Sequence, residues 1–142
     1  MTLQIKLTHK DAILPTRGHP TDAGLDLTAV SLIKPLRSDV LVFDTGVAVQ
    51  PPEGFYTQVV MRSSSSKQGI TLANGTGIID PSYTGSIKLA IRFHMGAVSA
   101  DDLIGTRVAQ LLVKPLHLLE VVEVDELDNT KRGDGGFGST GQ

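Results

Sequence analysis

The sequence predicts an all-β barrel or sandwich of the jelly-roll type. Three observations point there: apolar and polar residues alternate with period two over several short segments, turn-forming residues punctuate them, and no window carries a long helical period with caps. Leu3-Ile5-Leu7 is the first alternating segment, and Asp26, between Leu25 and Leu27, opens another. Val40 to Val49 is a third. In the next, Phe55, Thr57, Val59 and Met61 interleave with Tyr56, Gln58 and Val60. Ser63 to Gly69 has room for one short helical turn at most. Gly85 to Phe93 is the clearest strand, with Ile87, Leu89, Ile91 and Phe93 set against Lys88, Ala90 and Arg92. Val108 to Val113 and Leu118 to Val124 complete the set. Between them lie Pro20-Thr21-Asp22, Pro51-Pro52-Glu53-Gly54, Asn74-Gly75 and Asp80-Pro81-Ser82, all turn chemistry.

A chain of 142 residues with 40% hydrophobic content suits one compact domain. With no Trp and few other aromatics, its core must be aliphatic. The absence of Cys rules out disulfides and thiolate zinc sites, and fits a reducing compartment. A net charge of −2 argues against a general nucleic-acid binder, which needs a broad basic field. It leaves room for a nucleotide, which needs only a few placed cations. No stretch approaches the roughly 20 apolar residues of a membrane span, and the N-terminus lacks the apolar centre of a signal peptide. The expected location is cytoplasmic, or inside a host cell for a viral chain.

From Asn129 the apolar content collapses, and five of the last ten residues are Gly. Residues 1–128 are therefore expected to form the β domain and 129–142 an arm. Such composition cannot fold alone. A plain flexible end is one reading; a tail that closes over a ligand is the other, because Arg132 and Phe137 have little use in a spacer.

Candidate chemistry is dispersed. Arg62-Ser63-Ser64-Ser65-Ser66-Lys67-Gln68-Gly69 joins cations, hydroxyls and a glycine, the groups phosphate oxygens require, although serine runs are commonly just surface loops. Asp80 follows the apolar pair Ile78-Ile79, where a carboxylate can polarise a water; capping a turn before Pro81 is the plainer use. Tyr83 alone reads as a barrel-rim aromatic. Gln110 sits in an apolar run and needs a hydrogen-bond partner if buried, whether protein or ligand. Asp26 needs donors if it points inward, and none if it faces water. The four His residues are scattered and receive no role.

Together, and in this order, DAGLDL (Asp22 to Leu27), RSS (Arg62 to Ser64), NGTGIIDPSYTG (Asn74 to Gly85), RVAQLLV (Arg107 to Val113) and RGDGGFGSTG (Arg132 to Gly141) resemble the five motifs of the trimeric dUTPase family. The resemblance spans nearly the whole chain. It implies a jelly-roll-like barrel assembled as a homotrimer whose active sites draw on more than one chain. The implied reaction is hydrolysis of dUTP to dUMP and pyrophosphate, with Mg²⁺ carried by substrate phosphates and water and no dedicated protein ligands. Position by position, Asp80 would activate the water. Asn74 and the backbone of Gly77, Ile78, Ile79 and Asp80 would bind the uracil. Tyr83 would pack under the deoxyribose, with Lys88 contributing to that pocket. Arg62, Ser63 and Ser64 would grip the phosphates with help from Gln110, and Asp26 would support them. Arg132 would reach the γ-phosphate, and Phe137, with Gly138, would cover the base. The chain departs from the family pattern at Pro81, Ser82 and Ser86, and in a Ser63 to Gly69 segment one residue shorter than in several relatives.

Two other enzyme or binding classes remain on this evidence. A dCTP deaminase shares the fold, but its reaction uses a Glu near the pyrimidine and Asn74 to Phe93 has none. A non-catalytic regulator acting through protein contacts is the other class, and it need not exclude hydrolysis. The set of Asp80, Tyr83, Arg132 and Phe137 favours a working enzyme, while a capsid-like or lectin-like jelly roll would leave the glycine-rich tail unexplained.

Overall fold

The computed structural model describes residues 1–135. Ten strands, one α-helical turn and one 3-10 turn follow in order: β1 (Gln4–Leu7), β2 (Leu25–Thr28), β3 (Ser31–Arg37), β4 (Val40–Asp44), β5 (Val47–Gln50), β6 (Phe55–Met61), α1 (Ser65–Gln68), β7 (Ile70–Leu72), β8 (Gly77–Ile79), β9 (Lys88–Phe93), the 3-10 turn Asp101–Leu103 and β10 (Arg107–Pro115). One four-stranded sheet has the order β2-β10-β6-β8, another β3-β4-β9-β7, and β1 pairs with β5. All named pairs are antiparallel. Inward residues of both large sheets meet in a single cluster, Leu27, Val59 and Leu111 from one with Phe43, Leu89 and Ile91 from the other. This is the expected jelly-roll class with an aliphatic core, Phe43 the only fully buried ring among the described residues.

The alternation in β6 and β9 works as the pattern requires: Thr57 and Val59 are buried, as are Leu89 and Ile91. The short helical turn also forms, and Gly69 stops it in a left-handed conformation at φ 69°. Elsewhere the boundaries move. Val40 to Val49 is two strands, because Gly46 takes φ 64° and its N–H is held by the Asp44 carboxylate, turning the chain at Thr45. The ladder of β9 starts at Lys88; Ile87 before it is buried and donates its N–H to the Val47 carbonyl instead. β3 was not expected, since Pro35 and an exposed face disguise it. It is an edge strand that pairs only with β4, where a missing N–H is tolerated.

One expected strand does not form. Among the described residues Leu118 to Val124 has no pairing partner, and Leu118, Leu119 and Val121 are more than four-fifths exposed. β10 ends at Pro115, still paired with Phe55 of β6, and after Leu116, whose N–H binds the Gly54 carbonyl at 2.8 Å, the chain leaves the sheet. Among the described residues, no helix is long and apolar enough to cross a membrane.

Candidate active site

Most of the expected site residues fall into two clusters, one on the β2-β10-β6-β8 sheet and one where β8 of that sheet leads towards β9 of the other. The first lies where β2, β10 and the end of β6 meet. Alternation buries Leu25 and Leu27 and turns Asp26 to the other face, directly opposite Gln110 in the β2-β10 register. There the carboxylate is only 14% exposed, and such a charge needs partners. It has two: Arg62 Nε at 2.9 Å from one oxygen and Arg107 Nη1 at 3.0 Å from the other. Arg62 Nη1 also donates to the Arg107 carbonyl at 3.4 Å, so the two guanidiniums are held side by side by backbone and carboxylate.

Asp26, Arg62, Ser63 and Gln110 line a cavity of about 270 Å³, together with Gly18 and the stretch from Asp22 to Gly24. Gln110 Nε2 reaches the Met61 carbonyl at 3.5 Å, and its amide lies across Gly24 so closely that a Cβ there would stand 2.1 Å from Oε1. Ser64 does not line this cavity; it is exposed and starts the helical turn. Ser65 is turned inward, donating from Oγ to the Val108 carbonyl, and so anchors the serine loop against β10. The serine run is thus partly structural: Ser63 faces the cavity, Ser65 the barrel.

The second cluster surrounds the connection from β8 to β9, which crosses from one four-stranded sheet to the other. Gly77 crosses β6 so closely that a Cβ would be 3.2 Å from Val59 Cβ, which brings Ile78 and Ile79 tight to the sheet. The chain then turns at Asp80-Pro81-Ser82-Tyr83, closed by the Tyr83 N–H on the Asp80 carbonyl at 3.0 Å. Tyr83 folds back over Gly85, where any Cβ would collide with the ring at 2.7–2.8 Å, and its hydroxyl donates to the Ser86 carbonyl. Ile78, Ile79, Asp80, Tyr83 and Lys88 line a cavity of about 200 Å³. Asp80 is exposed at its mouth. Asn74 does not line it; its carbonyl accepts the Thr76 N–H in the turn before β8.

These cavities share no lining residue. Ile79 lies beside Thr57 on β6, and Arg62 is five residues further along that chain, about 17 Å at the rise of an extended strand. Arg132 joins neither: its Nε donates to the Gly135 carbonyl in a small turn of its own. Phe137 and Gly138 lie outside the described residues.

Sequence reasoning quoted Arg107 within a motif and gave it no role, and it overlooked Gly24. Three residues separate Arg107 from Gln110, which simple alternation would put on opposite faces of a strand. The bulge between Arg107 and Ala109 turns Arg107 to the face of Asp26 instead, and a bulge is invisible in sequence.

A model of the dUTPase family matches residues 10–141, almost the whole chain. The chain belongs to the dUTPase family. Among its dUTPase relatives, the deoxyuridine 5'-triphosphate nucleotidohydrolase of Clostridium kluyveri is 42% identical across 99% of both chains. That of Arabidopsis thaliana is 40% identical, covering 97% of this chain and 82% of its own. Among solved dUTPases, that of Staphylococcus bacteriophage 80alpha, bound to dUpNHpp, superposes with a TM-score of 0.81 at 30% identity, covering 99% of each chain. A mutant dUTPase from phage phi11 of S. aureus, with a structural Mg(II) ion, superposes with a TM-score of 0.75 at 27% identity over 91% of this chain and all of that one. In the dUTPase chain described here, no three His, Asp or Glu side chains come together among the described residues.

Proposed function

We propose that this dUTP diphosphatase cleaves dUTP to dUMP and pyrophosphate by attack of a water, held and activated by Asp80, on the α-phosphorus. The observation that carries this reading is the exposed Asp80, which lines one cavity together with Ile78, Ile79, Tyr83 and Lys88. The cavity takes the deoxyuridine: Tyr83 packs under the sugar and leaves no room for a 2′-hydroxyl, while Asn74 and the Gly77 to Asp80 backbone read the uracil edge. The Arg62–Asp26–Arg107 cluster, with Ser63, Ser64 and Gln110, takes the triphosphate. Charge builds on phosphate oxygens during in-line displacement, and fixed cations stabilise it without reorganising.

One triphosphate cannot be handed between two cavities that share no wall on one chain, so the halves are completed across subunits of a homotrimer. The exposed apolar segment Leu118 to Val124 supports that assembly, since unpaired strand-like chain is suited to a neighbouring subunit. Residues 1–128 form the barrel of each subunit. The 129–142 arm brings Arg132 to the γ-phosphate and Phe137, with Gly138, over the base.

The donor set fits Mg²⁺ bound to substrate rather than to a protein cage: Asp26 is engaged by two arginines, and Asp80 stands apart from other carboxylates. When bound, the ion neutralises phosphate charge. No residue of this chain is assigned to it. The product dUMP would feed dTMP synthesis and keep uracil out of DNA, in the cytoplasm or within an infected host cell.

Purified protein tests this directly. It should release pyrophosphate from dUTP in Mg²⁺ and leave dTTP and dCTP untouched. Ammonia from dCTP, or no pyrophosphate from dUTP, would overturn the reading.

A further inference from the structure

We propose that Asp44, acting through Ser86, is a positioning residue for the deoxynucleoside cavity. The inference rests on Tyr83 and Lys88 lining that cavity as nucleoside contacts, and extends it to residues outside it. Tyr83 Oη donates to the Ser86 carbonyl at 3.0 Å and Lys88 Nζ lies 3.4 Å from the same oxygen. A carbonyl has two lone pairs and can serve both. Where that carbonyl stands therefore sets the ring on one wall and the ammonium on the other.

Ser86 belongs to no strand, yet it is not free. Its hydroxyl donates to Oδ1 of Asp44, which also accepts the Gly46 N–H at 3.0 Å. Asp44 is the last residue of β4 and the register partner of Lys88 on β9, so its charge also faces the Lys88 ammonium. The corner it stands on is rigid. Thr45, fully buried, donates its hydroxyl to the Ile87 carbonyl at 2.7 Å and its N–H to the same oxygen at 3.2 Å. Ile87 N–H in turn binds the Val47 carbonyl at 2.8 Å, and Val30 N–H binds that of Asp44 at 2.8 Å. Gly46 completes the corner, with His9 and Ala12 packed where its Cβ would be. A corner tied to the barrel interior thus reaches out, through one carboxylate and one serine, to the carbonyl on which Tyr83 and Lys88 hang. Neither Asp44 nor Ser86 lines the cavity, so their effect is on its shape.

The test compares S86A, D44A and D44N with the unaltered chain. Affinity for a non-cleavable dUTP analogue is read by calorimetry, and kcat and KM are measured for dUTP and UTP. S86A and D44A should each weaken analogue binding and raise the KM for dUTP by about fivefold, the effect of one lost hydrogen bond. Saturated turnover should stay within about twofold, and preference for dUTP over UTP should fall as the Tyr83 ring loosens. D44N keeps an acceptor for Ser86 and Gly46 and should restore affinity. The double variant should be no worse than either single, since both cut the same link. S86A removes only a hydroxyl and leaves the Gly46 bond, so it stays interpretable if D44A folds poorly. Unchanged affinity and unchanged sugar preference in folded S86A would overturn the proposal. An unaltered chain that binds the analogue but cleaves no dUTP would sink the catalytic reading alone, with the affinity comparison still deciding the role of Asp44. A chain that binds no analogue would sink both.

Discussion

Arg62 Nε sits 2.9 Å from Asp26 Oδ1, and that ion pair fixes where the end of β6 places its guanidinium. Arg107 holds the other oxygen but is more than half exposed, so water screens its share. In D26A the two arginines lose their common anchor and face each other unpaired. The substitution should lower stability by about 1.5–3 kcal/mol, the range for hydrogen bonds to charged groups, and raise the KM for dUTP. Urea denaturation and steady-state kinetics check both; an unmoved midpoint would make the pair ornamental.

Gly24 is the floor on which Gln110 lies. A methyl there would stand 2.1 Å from Oε1, 2.9 Å from Cδ and 3.0 Å from Cβ, so the whole side chain must swing rather than its tip alone. G24A should therefore expel the amide from the phosphate cavity. The expected result is a KM for dUTP raised about tenfold, equivalent to roughly 1.4 kcal/mol, with turnover less affected. A G24A enzyme with normal KM would remove Gln110 from phosphate binding.

What could be read beforehand depended on whether one short stretch carried the whole signal. Leu89 and Ile91 alternate with polar neighbours, so β9 was legible from period alone, as was the aliphatic core. The grouping of Asp26 with Arg62 and Gln110 followed from the family resemblance; the register that makes Asp26 face Gln110 is a tertiary fact. β3 was hidden because Pro35 argues against a strand except at an edge, and edge position is invisible in sequence. Leu118 to Val124 misled for the opposite reason: it has a strand's composition, but it pairs with none of the described strands and stays exposed. Asp44 and Ser86 went unremarked as partners because 42 residues separate them and neither is unusual in its own surroundings.

Asp80 is exposed at the cavity mouth, and the Tyr83 N–H that closes its turn binds the Asp80 carbonyl, leaving the carboxylate out of that contact. D80N preserves shape and removes the base. Turnover should fall at least about a hundredfold, the low end of general-base catalysis, while affinity for a non-cleavable analogue stays near normal. Near-normal turnover in D80N would dismiss Asp80 as the base.

Acid stability should carry a signature of Asp44. Partial burial acts to raise its pKa, but hydrogen bonds from Ser86 and Gly46, the Lys88 charge and the Thr45 N–H outweigh it and hold the carboxyl below its ordinary value. A depressed pKa contributes stability above the unfolded value, near about 3.9, and that contribution is lost as pH falls through the folded pKa. Melting temperatures of the unaltered protein and D44N should therefore differ most near neutrality and converge in acid. A gap that widens on acidification would contradict the direction of the shift.

The division of the site between chains has a sharper consequence. Arg62 lines one cavity and Asp80 the other, with no residue common to both. If each working site joins the phosphate half of one subunit to the nucleoside half of another, R62A and D80N damage different halves. Each variant alone should be nearly inactive. Unfolded together and refolded as mixed trimers, they should regain up to about a quarter of normal activity, because random assembly pairs an intact half with an intact half that often. The recovery requires exchange of subunits, so simply mixing the folded variants should give less. Were every site built within one chain, no assembly could unite an intact Arg62 with an intact Asp80, and the refolded mixture would stay as inactive as its parts.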